Sequence, residues 1–190
     1  TDENDTIDYA LFKEKELKFK KDYRIVFDVC KFDKVTFTDN QFQRSEFIDC
    51  IFKNSDLSNN TFTNCTFIRC EFISCKMMGS HFVESYIENT TIKSSIADLL
   101  DIANSKLKLV SIKETSLKDS SWFENMIDGM EFHKNDFTKA TFFKTPLKDV
   151  SIGSSEIDKL RIDHTSVTGL HIASHQAEAF CDLLGIKVTQ

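Results

Sequence analysis

Cys30, Cys50 and Cys70 stand twenty residues apart, and Cys65 and Cys75 fall on the same multiples of five. Thiols stacked in one column could hold a soft metal as thiolates. The favoured reading makes them compact buried fillers, since free Cys behaves as a small hydrophobe, and no CxxC pair occurs. His171 and His175 have the i, i+4 spacing of helix-borne ligands, but the second opens a helix that the first precedes, so a solvated or capping role is the default. His81, His133 and His164 converge on nothing. Acids such as Asp56, Asp136 and Glu156 could do acid–base work only in a cleft that shifts their pKa values. No GxSxG, P-loop, HExxH or GxGxxG motif accompanies them. No catalytic, cofactor-binding or metal-binding residue is assigned, and the chain reads as a non-enzyme.

The elements that would position these groups follow an unusual period. In FIRCEFISCKMMGSHF (67–82), Phe67, Phe72, Met77 and Phe82 recur every five residues. Steps of about 100° per residue would scatter them around a helix, and an odd period in a strand would send them to alternating faces. A unit of five must therefore turn at each repeat and return the same side chain inward. The register runs from Phe27 to Ile172 as thirty apolar centres without a slip. A second column two residues before each centre is mostly small, as in Ser45, Cys50, Ser55, Ser80 and Ser105. The other three positions carry nearly all the charge. Good single units are SDLSN (55–59) and NDFTK (135–139). The weakest stretch is 94–104, where Ala97 replaces a large centre and Leu100 fills the small column, so a bulge or a volume swap is expected there.

Small–Asp/Asn–Leu/Phe–polar–polar resembles the pentapeptide-repeat family. That resemblance implies an all-β solenoid, a right-handed quadrilateral β-helix of four repeats per coil. Residues 25–174 would make about 7.5 coils, a rod of roughly 36 Å at ~4.8 Å per coil. Residues 1–24 are highly charged and read as an N-terminal cap segment, in part a short helix or irregular. Residues 175–190 read as a C-terminal helix and strand. Ser174 is a plausible N-cap and Gly185 a plausible helix stop; Ala177, Phe180, Cys181 and Leu184 share one helical face, and Ile186 and Val188 alternate as a strand would.

The tail narrows the resemblance. Gln176-Ala177, Leu184-Gly185-Ile186 and Val188 are similar to the ending of the quinolone-resistance (Qnr/MfpA/McbG-like) pentapeptide proteins. In that group the C-terminus forms a head-to-head dimer, here expected through Ala177, Phe180, Leu183, Leu184, Ile186 and Val188. The implied partners are DNA gyrase and topoisomerase IV, protected from quinolones or a gyrase-directed toxin by a rod that imitates DNA. A generic scaffold for another protein partner is the alternative.

Charge bears on that choice. The formal net charge is −6, which argues against nucleic-acid and anionic-membrane binding. With neither a long apolar run nor a signal-peptide core, the chain is expected to be cytoplasmic. Sorted by position modulo twenty, the side of Phe37 and Leu57 carries net −3, that of Phe27 net −2, that of Phe42 net −1 and that of Phe32 net +2. A duplex of roughly the same length carries about 21 negative charges, so the rod imitates shape better than charge density. Candidate partner-binding acids are Asp28, Asp39, Glu46, Asp49, Asp56, Glu88, Asp98, Asp119, Asp128, Asp136, Glu156 and Asp158.

Overall fold

The computed structural model describes residues 5–19, 23–183 and 185–188. It is a parallel β-solenoid of about eight coils. Partners in neighbouring coils are twenty residues apart, as in Phe27↔Phe47, Phe62↔Phe82 and Phe72↔Ile92. Three of the four sides are seven-stranded parallel sheets. Side A begins with Asp5–Asp8 and Ile25–Asp28, side B with Leu11–Lys13 and Lys31–Asp33, and side D with Gln41–Gln43 and Thr61–Thr63. Side C has one short pair, Glu16–Leu17 with Thr36–Phe37, and continues as single bridges from Thr36 through Asp56, Lys76, Ile96, Ser116 and Asp136 to Glu156. There the backbone closes turns, with the amides of Asn60, Ser80, Leu100 and Ser120 donating to Leu57, Met77, Ala97 and Leu117 carbonyls. These sides match the four groups obtained by counting in twenties.

The centres fill the interior. Phe27, Phe47 and Phe67 stack at 5.0 and 4.7 Å between ring centroids, and Phe32, Phe52 and Phe72 at 4.6 Å each. The spacing follows from the separation of adjacent strands, about 4.8 Å, which brings rings of equal rotamer into offset contact. The second column is small for a reason beyond volume. At most such positions on sides A and C its backbone N–H is met by an acceptor on the side chain one coil on. Ser85 N donates to Ser105 Oγ at 3.0 Å, Ser105 N to Asn125 Oδ1 at 2.9 Å, and Asn125 N to Thr145 Oγ1 at 3.2 Å. Buried amides without such partners would be costly. At 94–104 there is no bulge: Ala97 and Leu100 are both fully buried and Asp101–Ala103 pairs in register on both edges. The volume lost at one inner position is carried by its neighbour.

Both ends differ from expectation. Residues 5–17 are a regular coil in place of a helical or irregular cap, with Ile7 paired to Phe27, Phe12 to Phe32 and Leu17 to Phe37. The charges that disguise it point outward. Phe19 then packs on Phe27 and Phe42, each at 5.6 Å between centroids. At the other end the strand pattern stops at Ile162, and His164–Val167 is one helical turn. Asp163 caps it, accepting from the amides of Thr165 and Ser166. Ser166 takes the inner seat that the period assigns to Thr165, and Thr145 N donates to its Oγ at 2.9 Å. The register is restored at His171, which bridges to Ser151. Ile172, read as the last inner centre, is 37% exposed.

The terminal helix spans Ala177–Leu183, preceded by a 3-10 turn at Ser174–Gln176 whose N-cap is Ala173 in place of the expected Ser174. Gln176 is buried and closes the last coil. Its Nε2 donates to the carbonyls of Ile152 and Ser155 at 3.1 and 2.8 Å, and its Oε1 accepts from Ala173 N at 2.9 Å. Gly185 ends the helix at φ +74°, a conformation that favours glycine. Residues 186–188 form no strand.

Candidate protein-binding surface and terminal interface

Each side offers water three residues per repeat, and the acids fall among them. Four of the twelve candidates are ion-paired with a base from a neighbouring coil. Arg69 grips Asp49 through Nε and Nη2, both at 2.6 Å; Lys108 holds Glu88 at 2.9 Å, Lys118 holds Asp136 at 3.2 Å and Lys18 holds Asp39 at 3.4 Å. The bond from Arg69 holds the Asp49 carboxyl below its usual range, and those from Lys108 and Tyr86 do the same for Glu88. Such exposed pairs contribute little to stability, but they weaken the field of these carboxylates.

The other eight have no ion pair among the described residues. Asp28, Glu46 and Asp128 lie on side A. Asp56, Asp98, Asp119, Glu156 and Asp158 lie on side C, the most acidic. Two of these also organise backbone. Asp56 Oδ1 accepts from Ser58 N at 2.9 Å, and Asp98 Oδ1 from the Ser116 hydroxyl and Lys118 N. Side C therefore carries a row of carboxylates, interrupted by Lys76, Lys139 and Lys159, over a framework of turns. The sequence showed which side each acid occupies, but not which acids a base one coil away neutralises.

The terminal residues divide. Phe180 is buried against the chain's own core, so it seals the last coil and is unavailable as the dimer contact assigned to it. Ala177, Leu183, Ile186 and Val188 are exposed, the last two at 54% each. Leu184 lies outside the described residues. Gln176, absent from the site read in the sequence, is the residue that ties this end to the coil, and a buried glutamine leaves no trace in a hydrophobic pattern.

Five of the six cysteines, Cys30, Cys50, Cys65, Cys70 and Cys75, occupy inner positions. Sγ of Cys30, Cys50 and Cys70 donates to the carbonyls of Ile7, Phe27 and Phe47 at 3.2, 3.4 and 3.2 Å. No group of three His, Cys, Asp or Glu among the described residues could hold a metal ion. Burial pushes the Cys65 and Cys75 thiols up to about 11. Since the thiolate is the reactive form, a disulfide-exchange reagent should label one thiol quickly, the half-buried Cys181, out of six. Fast labelling of two or more without urea would contradict the inward placement. No helix among the described residues is long and apolar enough to cross a membrane.

The profile of the family described as pentapeptide repeats matches residues 41–82 in eight copies. A search of curated proteins returns no match. Among solved structures, the chain is similar to a trypsin-treated variant of QnrB1, a plasmid-mediated fluoroquinolone resistance protein. Identity is 17% and TM-score 0.41, covering 97% of this chain and 100% of that one. It is also similar to HetL of the cyanobacterium Nostoc sp. strain PCC 7120, a pentapeptide repeat protein involved in heterocyst differentiation regulation. Identity there is 11% and TM-score 0.34, covering 88% and 81% of the two chains. The solenoid assignment stands on the strand register described above and not on these likenesses.

Proposed function

We propose that this pentapeptide-repeat protein is a DNA-mimicking binder of DNA gyrase and topoisomerase IV that acts as a homodimer in the cytoplasm and protects its target from quinolones or a gyrase-directed toxin. It works by binding and not by catalysis. The observation that carries the reading is the row of unpaired carboxylates on side C: Asp56, Asp98, Asp119, Glu156 and Asp158. A basic groove built for phosphates would meet fixed anions along a rod. The resemblance of the tail to the quinolone-resistance group supports the same reading, and so do the exposed Leu183, Ile186 and Val188, which suit a two-fold contact beyond the last coil. A second copy would lengthen one ~36 Å rod to about 70 Å. The second reading, a scaffold for another protein, draws on the ion pairs that weaken the acid field.

Titrating the protein into a gyrase supercoiling assay with ciprofloxacin tests the function. Protection that never rises above an unrelated acidic protein would end the gyrase reading. The dimer is tested by Leu183→Asp with Ile186→Asp, leaving Phe180 to seal the core. We expect light scattering to fall from twice 21.9 kDa to 21.9 kDa, an unchanged β spectrum, and protection weaker by about tenfold or more, ~1.4 kcal/mol. A monomeric variant that protects as well as the parent would reject the dimer as the active form.

A further inference from the structure

One corner of side C carries an apolar group that the fold does not use. The corner residues of the coil adopt a left-handed backbone, which Asn, Asp and Gly enter most readily. Leu99 holds this conformation at φ 58° and is 57% exposed. It is unfavourable on both counts, as a bulky residue in the left-handed region and as a large apolar group in water. The corner conformation itself is common to the whole fold, shared by Val29 and Leu109 among others, so what sets Leu99 apart is its exposed apolar side chain. Leu109 is a useful contrast. It has the same backbone and is 52% exposed, but its side chain packs beside Gly129, where an added Cβ would lie 2.7 Å from it.

Leu99 has apolar company. Ile96, on the same coil and side, is 43% exposed, and Met78, one coil away, is 41% exposed. The bridge column that contains Ile96 otherwise presents Thr36, Asp56, Lys76, Ser116, Asp136 and Glu156. Scattered exposed hydrophobic residues are ordinary, but a group on an otherwise polar face marks an interaction site. The charges beside it are mixed: Lys76 bridges to Ile96 on the N-terminal side, whereas Asp98 in the same repeat and Asp119 in the next coil are acids with no ion pair among the described residues.

We propose that Met78, Ile96 and Leu99 form the apolar centre of a protein-docking surface on side C, and that its occupant is a protein surface with an apolar pocket rimmed by Lys and Arg. Asp98, Asp119 and the net acidic charge of side C match the rim, and the apolar centre supplies an anchor of the kind found at the desolvated middle of interfaces. A pure charge mimic would not need it. The inference rests on the gyrase reading for the identity of the partner, so its test uses purified gyrase.

Binding is measured with gyrase at roughly 50 and 300 mM KCl, the higher salt shortening the screening length. The variant Leu99→Asn with Ile96→Thr is expected to raise the dissociation constant at least about tenfold at both salts. Its melting temperature should equal or exceed the parent's, because Asn fits the corner better. By contrast, Asp119→Asn should weaken binding mainly at the lower salt. A dissociation constant within about twofold of the parent's overturns the inference while leaving the gyrase reading intact. A fall in melting temperature overturns it too, since Leu99 would then be a folding residue. If the parent chain itself fails to bind gyrase, the proposed function falls, and this inference falls with it.

Discussion

Inserting one residue between Phe67 and Ile68 should abolish the cooperative fold, whereas duplicating a whole coil, residues 41–60, should leave it folded. The strand Thr66–Ile68 is paired on both edges, with Glu46–Ile48 and Tyr86–Glu88. An extra residue there has no edge from which to bulge. Beyond it every inner seat would pass to an outer residue, and buried centres such as Phe72 and Phe82 would turn to water. Exposing one large apolar side chain costs about 1.5–3 kcal/mol. A few such residues exceed the ~5–15 kcal/mol that holds an ordinary domain together. Twenty added residues return each side to its own column and add another set of stacked rings. Circular dichroism with thermal melting decides the matter. A one-residue insert melting within a few degrees of the parent, or a coil duplicate that fails to fold, would show that the twenty-residue register does not govern stability.

Phe67→Ala should be the most damaging single truncation, at about 4–5 kcal/mol. The ring is 1% exposed and stacks on Phe47 at 4.7 Å, with edge contacts to Phe62 and Phe82 at 5.4 Å each. Strands hydrogen-bonded above and below keep the two neighbouring coils from closing on the void. Alanine therefore loses transfer energy, cavity lining and aromatic pairing together. At ~2–4 °C per kcal/mol for a chain of this size, melting should fall by roughly 10–15 °C. The same substitution at Phe123, 41% exposed and touching Phe143 across the outer surface at 5.1 Å, should cost less than about 1 kcal/mol. Equal losses at the two positions would mean that the inner and outer columns are assigned wrongly.

Much of this was legible in the residues alone. A solenoid repeats one local environment, so each centre from Phe27 to Ile152 reports the same inward geometry, and the period is read without any tertiary contact. Counting by twenties also placed Asp56, Asp98, Asp119, Glu156 and Asp158 on one side. The pattern failed where the environment stops repeating. At the first coil, Lys15 stands in the small column, yet Ile7, Phe12 and Leu17 still form the coil, because an end coil has only one neighbour and need not bury every position. After Ile162, local capping by Asp163 outweighs strand pairing, and Ser166 takes the inner seat. At the C-terminus, amphipathic spacing marked Phe180 and Leu183 alike as interface, and only the closing of the last coil separates them: Phe180 covers the core and Leu183 stays in water. Which carboxylates remain free was also decided by tertiary structure, because the neutralising partner of an acid such as Asp49 is Arg69, twenty residues on and one strand spacing away. Period belongs to the chain, whereas caps, pairing and exposed surface depend on what lies above and below each residue once the coils have stacked.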